Sequence, residues 1–581
     1  MTNPAPRRTP TTYRVWAPTP ADVRLVVDGT THPMTPADNG WWESFVPLRP
    51  GARYGYRLFD GDTWSKVVPD PRARRLPDGV HGLAETTDET SFTFTDDTWR
   101  GVSPGGQVIY ELHTGTFTEQ GDFAGIETKL DYLADLGVTV IELMPVQPFG
   151  GNRNWGYDGV SWHAVHEGYG GPEGLKHLVD AAHAKGIAVM LDVVYNHFGP
   201  DGNYAGMFGP YTTSGDTAWG DVVNLWEKNS DEVRNYILDA VYMWLTDYHI
   251  DGLRLDAVQA YHDPGAEHIL AQMQKTAEQA AAETGRQKFL IAESDQNDPR
   301  LTRGRAGGGY GLAAQWDDDI HHALHTLVSG EQHAYYSDFG TTEVLAKTLT
   351  GVFYHNGCSS SFRGRTHGAP VDTHATPASC FVTYTTTHDQ TGNRARGDRP
   401  SMNLPPEKQV LKAAVICCSP YTPMLFMGEE FGAETPFAFF CSHTDDELNR
   451  LTDQGRHREF AYFGWDTDDV PVPSDEQTFL DSKLRWDFSP EQQRILDAYT
   501  TLLRLRRTWR LARPWLDEVT VNHSDQWLTI ERDDVFLAAN FSDREQRIPL
   551  GGRLIYSFTG ARATDSETIL DPWGFALVAR T

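Results

Sequence analysis

Four stretches of the chain close an apolar, strand-like run with an acid. Asp251-Gly-Leu-Arg254-Leu-Asp256 is followed, after a helical interval, by Phe289-Leu-Ile-Ala-Glu293. Val189-Met-Leu-Asp192-Val-Val-Tyr-Asn196-His197 precedes them, and Phe381-Val-Thr-Tyr leads to His388-Asp389. In a parallel barrel, acids at the C-terminal ends of different strands converge on one pocket above a packed core. The chemistry that most often needs two carboxyls in one pocket is cleavage of a glycosidic bond. One carboxyl protonates the departing oxygen and the other faces the developing oxocarbenium carbon; when the two stand about 5 Å apart, the second attacks directly and configuration is retained. Strand alternation puts Arg254 on the same face as Asp256, where a guanidinium can hold a carboxylate ionised. The same residues also fit structural ion pairs at a barrel rim, and spacing alone does not rank the roles of Asp256, Glu293 and Asp389.

His197 and His388 could donate hydrogen bonds to sugar hydroxyls, with Asp192 orienting the network; a satisfied core histidine is the plain alternative for each. The loop Asn152-Arg-Asn-Trp155-Gly-Tyr157-Asp158 offers aromatic rings for the C–H face of a pyranose, a weak signal in a chain with 17 Trp and 23 Tyr. His321-His322-Ala-Leu-His325 lacks the intervening glutamate of an HExxH zinc site, and Gly168-Tyr-Gly-Gly171-Pro lacks the Lys-Ser/Thr of a nucleotide loop. No metal or other cofactor is expected.

These residues need elements to hold them. Residues 12–98 read as short period-two runs punctuated by Gly, Pro, Asp and Asn, as in a small antiparallel sandwich. From Gln107 the texture changes to apolar strands alternating with helices such as Ile126 to Leu136, Gly174 to Lys185, Glu232 to Tyr248 and Glu267 to Glu283. This βα rhythm predicts a parallel sheet with helices outside it, and eight repeats fit the length to about residue 505. The expected architecture is therefore a central (β/α)8 TIM barrel at 104–505, an N-terminal antiparallel β-sandwich at 1–103 and a C-terminal antiparallel β domain at 506–581. Residues 198–230 are too long for a simple turn after the third strand and suggest a lid or side wall to the pocket.

Fifty basic against eighty acidic side chains leave a formal charge of -30, which repels polyanions and is indifferent to a neutral polyol. Nucleic acid is not an expected partner. The first fifteen residues hold no apolar run, so neither membrane insertion nor export is expected. Five cysteines without CxxC spacing fit a reducing, cytoplasmic compartment.

Taken together, Asp192-to-His197, Gly252-Leu-Arg254-Leu-Asp256, Glu293 and His388-Asp389 resemble the four signature regions of the alpha-amylase superfamily (glycoside hydrolase family 13). The resemblance spans essentially the whole length. It implies that Asp256 is the nucleophile, Glu293 the acid/base and Asp389 the transition-state-stabilising carboxylate. Longer strings, among them Tyr110-Glu-Leu-His113-Thr-Gly-Thr-Phe, Ala292-Glu-Ser-Asp295-Gln-Asn-Asp-Pro and His388-Asp-Gln-Thr-Gly-Asn393-Arg, are similar to the subfamily that cuts the α-1,4 bond beside the terminal trehalose of maltooligosyltrehalose. That likeness implies a maltooligosyltrehalose substrate and a functional pairing with maltooligosyltrehalose synthase. It also places Tyr157, His197, Arg254 and His388 at the cleaved bond and Trp219 on the side wall, where loop packing is the alternative. Two departures stand out: Thr387 where relatives commonly have Asn, and Trp162-His-Ala-Val-His-Glu. The neighbouring reading is an α-1,6 branching or debranching enzyme, which would share every carboxylate; a glycan-binding scaffold would be expected to have lost Asp256 or Glu293.

Overall fold

The computed structural model describes residues 12–88, 90–217, 220–462 and 470–580. Eight strands close a parallel barrel in chain order: β1 Ile109–Leu112, β2 Val140–Leu143, β3 Ala188–Val193, β4 Gly252–Leu255, β5 Phe289–Ala292, β6 Ala314–Trp316, β7 Phe381–Tyr384 and β8 Thr422–Phe426, with β8 pairing back onto β1. Each strand is buried on both faces, which is why these runs are apolar throughout rather than alternating. Ile109, Val140, Ala188, Phe289, Ala314, Val382 and Met424 point inward and fill the lower barrel. Gly252 makes room for one of them: a Cβ there would lie 2.2 Å from the Phe289 ring. Above this apolar plug the inward positions turn polar, with Glu111, Glu142, Asp192 and Arg254 all buried.

Most helices fall where periodicity places them: Gly171–Ala184, Ser230–Thr246 and Ile269–Thr284. The helix expected over Ile126 to Leu136 is instead two, Phe123–Glu127 and Leu130–Leu136. Asp122 caps the first by accepting from Gly125 N, and Thr128 Oγ1 returns to Gly125 O at 2.7 Å. A hydroxyl bonding back to the preceding turn competes with helix continuation.

The N-terminal segment forms a three-stranded and a four-stranded antiparallel sheet, joined through buried rings such as Tyr13 on Tyr54, 4.9 Å between centroids. The C-terminal segment forms a five-stranded and a three-stranded sheet over Phe536, Ala538, Ile548, Leu570, Ala576 and Val578. The long connection after β3 contains a hairpin, Thr212–Thr217 with Gly220–Val223, and rests on the N-terminal sheets. Tyr211 packs edge-on against Trp16 at 5.0 Å, and Thr19 N donates to Phe208 O at 3.1 Å. It is thus a wall braced by the sandwich.

A buried charge cluster straps the linker before β1 to the barrel's lower end. Asp96 accepts from His183 Nδ1 at 2.7 Å, His249 Nδ1 at 2.9 Å and Arg286 Nη1 at 2.7 Å, while His183 Nε2 and Trp99 Nε1 both reach Asp251 at 2.8 Å. Burial alone would raise the Asp96 carboxyl, but hydrogen bonds from His183, His249 and Arg286 outweigh it and hold the group far below the carboxylate range. Removing one partner of a buried pair strands the other charges, so Asp96→Asn is expected to cost about 3–5 kcal/mol. A depressed carboxyl stabilises the fold fully above its unfolded pKa, roughly 3.9, and loses that contribution as pH falls towards the folded value. Urea melts of wild type and variant should therefore differ most at neutral pH and converge on acidification below about pH 4; a constant gap would show that the carboxylate charge carries none of it.

Candidate active site

Strand register sets the site. In the β3–β4 ladder Asp192 lies opposite Arg254, and the ladder runs one step further through Asp256 N to Val193 O at 3.1 Å and Glu293 N to Leu255 O at 3.0 Å. Three acids from three neighbouring strands thus arrive at one level around one cation. Arg254 Nη1 donates to Asp192 at 2.8 and 2.9 Å and to Asp256 Oδ1 at 2.6 Å, and Nη2 faces Glu293 Oε2 at 3.6 Å. The guanidinium is wholly buried and lies over the Trp316 ring, 4.4 Å from its centroid. Asn196 Nδ2 donates to Asp256 Oδ2 at 2.7 Å, so both oxygens of Asp256 receive a hydrogen bond.

Glu293 differs. Ala257 N donates to its Oε2 at 2.6 Å, and Ala257 sits in the left-handed region at φ +40°. A non-glycine residue held there costs energy that surrounding structure must offset, and here the strained turn aims an N–H at the carboxyl. The Glu293 pKa is pushed up to about 8, by burial first; Arg254 opposes the rise, and Asp256, Asp389 and Asp318 add to it. One carboxyl therefore receives two hydrogen bonds beside a cation, and its neighbour favours the protonated acid.

Beyond β7, His388 and Asp389 open the short helix His388–Gly392. Thr387, the departure noted in the sequence, is buried and caps this helix, its Oγ1 accepting from Asp389 N at 3.2 Å. Glu111 on β1 anchors His388 twice, accepting from its backbone N at 3.0 Å and from Nδ1. Tyr157 Oη donates its only proton to Asp192 at 2.5 Å, so at 2.9 Å it accepts from His388 Nε2. Both imidazole nitrogens then carry protons. Burial lowers the pKa of His388, but Asp389 and Glu111 outweigh it and raise it to about 9, giving an imidazolium at neutral pH. The carboxylate of Asp389, 44% exposed, stands 3.5 Å from His388 Nε2.

The structure brings Tyr157, Asp192, Arg254, Asp256, Glu293, His388 and Asp389 together. His197 is adjacent, with its ring nitrogens on Asn196 and on Tyr157 O, the latter at 3.0 Å, so it ties the β3 loop to the Tyr157 loop. Trp219 lies outside the described residues. Trp162 is a core residue, its ring stacked on Phe198 at 4.1 Å. His321 and His325 are buried and stack on each other at 5.5 Å, with His325 Nε2 on Glu331 at 3.1 Å. Sequence reasoning missed Glu111, Asn196 and Asp318. Glu111 carried a signal: an acid two residues after Ile109, on the inward face of an apolar strand.

The carbohydrate-binding module 48 (isoamylase N-terminal domain) family matches residues 3–73, the alpha amylase catalytic domain residues 87–210, and a domain of unknown function, DUF3459, residues 514–577. Malto-oligosyltrehalose trehalohydrolase of Mycobacterium tuberculosis is 48% identical over 97% of this chain and 98% of its own length. That of Saccharolobus solfataricus is 40% identical over 97% of each. A Salmonella typhimurium crystal structure named for an alpha amylase is 36% identical, with a TM-score of 0.89 over 98% of this chain and 97% of that one. A pullulanase from Anoxybacillus sp. LM18-11, 18% identical with a TM-score of 0.72 over 98% of this chain and 86% of that one, shares the fold. With the eight-stranded barrel, the ring of acids around Arg254 and identity of this level along the whole chain, the protein belongs to the malto-oligosyltrehalose trehalohydrolase family of the alpha-amylase superfamily.

Proposed function

We propose that the chain is a retaining glycoside hydrolase that cuts the α-1,4 bond beside the terminal trehalose of maltooligosyltrehalose, releasing trehalose and a maltooligosaccharide. The observation that carries the mechanism is the single Arg254 guanidinium with Asp256 at one nitrogen and Glu293 at the other. Two carboxyls spanned by one guanidinium fit the short separation of a retaining pair. Glu293, protonated, gives its proton to the departing trehalose oxygen as Asp256 attacks the anomeric carbon. Water, deprotonated by Glu293, then opens the glycosyl ester and restores both groups. Asp389 accepts hydroxyls of the reacting glucosyl ring, and the His388 imidazolium, held by Glu111 and Tyr157, faces the same ring. Asp192 and Tyr157 keep Arg254 and His388 in register.

The chain divides at 103/104 and 505/506 in this reading. It acts in the cytoplasm, after a maltooligosyltrehalose synthase has turned the reducing end of a maltodextrin into trehalose. No described helix is long and apolar enough to cross a membrane, and all five cysteines are unpaired, as in a reducing compartment. The test is chromatography of products from maltopentaosyl trehalose and, separately, from amylopectin. Trehalose with maltopentaose from the first supports the proposal; linear chains released only from the second would move the enzyme to α-1,6 debranching.

A further inference from the structure

We infer that Arg456 is a positioning residue for Asp389, acting through Asn393 and the last turn of the short helix that carries the carboxylate. The inference rests on the role proposed for Asp389. That side chain projects half-exposed from a helix of only five residues, His388–Gly392, and among the described residues its partners are few: His388 Nε2 at 3.5 Å and Asn393 Nδ2, which donates to Oδ1 at 3.2 Å. A short helix with one flank in a cleft does not by itself hold a carboxylate to the fraction of an ångström that catalysis demands.

The helix is gripped from both sides. On one side Gly392 lies flat against Trp155, where a Cβ would come within 2.0 Å of the indole, and the indole is fixed by its own N–H on Ala438 O at 3.0 Å. On the other, Arg456 arrives from the helix Asp446–Tyr462, 63 residues beyond Asn393 in sequence. Its Nη2 donates to Gly392 O at 2.5 Å, and both terminal nitrogens face Asn393 Oδ1 at 3.4 Å. The side chain is 12% exposed, paired with Glu459 at 3.0 Å and laid over Phe460 and Phe439 at 4.6 and 5.4 Å.

This contact decides which way the Asn393 amide points. An amide offers an oxygen on one side and an NH2 on the other. With a guanidinium against the oxygen, the NH2 is turned to Asp389; reversed, two acceptors would oppose each other and the carboxylate would lose its donor. Arg456 therefore sets the polarity of the side-chain donor that reaches Asp389 from the C-cap of its helix, and satisfies the Gly392 carbonyl at the end of that helix.

The experiment is steady-state kinetics on maltopentaosyl trehalose with the full chain. Arg456→Met keeps a stem to cover Phe439 and Phe460 while removing the donors; kcat is expected to fall about ten-fold with KM within about two-fold, because geometry at the reacting carbon is lost and ground-state binding is not. Arg456→Lys, which can reach one acceptor but not the fork of two, should recover part of the loss. Combining Arg456→Met with Asn393→Ala should cost little more than either alone. Arg458→Met, two residues along the same helix, with its Nε on Gln454 O of that helix at 3.2 Å, should leave activity unchanged. Full kcat in folded Arg456→Met, a loss confined to KM, or additive losses in the double variant would overturn the inference. Asp389→Asn separates the two readings: if it turns over normally, the proposed role of Asp389 fails, whereas an inactive Asp389→Asn beside a fully active Arg456→Met removes the inference alone.

Discussion

Asp256→Asn is expected to lower turnover by roughly four orders of magnitude while leaving the fold intact. The carboxylate receives hydrogen bonds from Arg254 at 2.6 Å and Asn196 at 2.7 Å, a cation and an amide that fix both of its oxygens. An amide of the same shape cannot form the glycosyl ester, so the variant loses the covalent route and not merely binding. Folding should survive, because Arg254 keeps both oxygens of Asp192. Substrate affinity by calorimetry should be near that of wild type. Normal turnover would remove Asp256 from the role, and a collapsed fold would show that the pair with Arg254 is needed for structure.

Glu293→Gln removes the proton donor and should reduce hydrolysis of maltopentaosyl trehalose on the order of 10³-fold or more. In kcat/KM, which reports formation of the glycosyl ester, the loss should be far smaller on an aryl α-maltoside, whose phenolate leaves without a proton; opening of the ester, where Glu293 is the base, should become the slow step. The pH profile tests the same point. The acid works protonated, and burial, with Asp256, Asp389 and Asp318 around it, pushes its pKa up to about 8. In wild type kcat/KM should therefore fall as pH rises through about 8, the side on which Glu293 loses its proton, and this limb should vanish in Glu293→Gln. Asp318→Asn, which removes one of the charges that raise the group, should move the limb to lower pH. An alkaline limb that persists in Glu293→Gln would assign it to another group.

The barrel and its acids were legible because the physics that places them is local. Strands buried on both faces must be apolar along their length, so a carboxylate at the end of Val189-Met-Leu or Phe289-Leu-Ile-Ala stands out, and period two is enough to put Arg254 and Asp256 on one face. The helix over Ile126 to Leu136 was misread as continuous because periodicity does not register a hydroxyl that bonds back to its own turn, as Thr128 does to Gly125. What holds the site was harder to see. Glu111 and His388 are 277 residues apart and meet only when β8 closes the barrel onto β1. His197 reads as a sugar ligand by its motif, and its contact with the Tyr157 carbonyl is set by the path of the loop after β2, which the sequence does not reveal.

The most direct test of the account is proton NMR of maltopentaosyl trehalose during the first minutes of hydrolysis by the purified protein. The anomeric signals should show free trehalose and maltopentaose rising in equal amounts, the maltopentaose appearing first as the α anomer and mutarotating afterwards. Maltopentaose appearing first as the β anomer would contradict the shared-guanidinium pair of Asp256 and Glu293 as nucleophile and acid, and the absence of trehalose among the products would contradict the reaction itself.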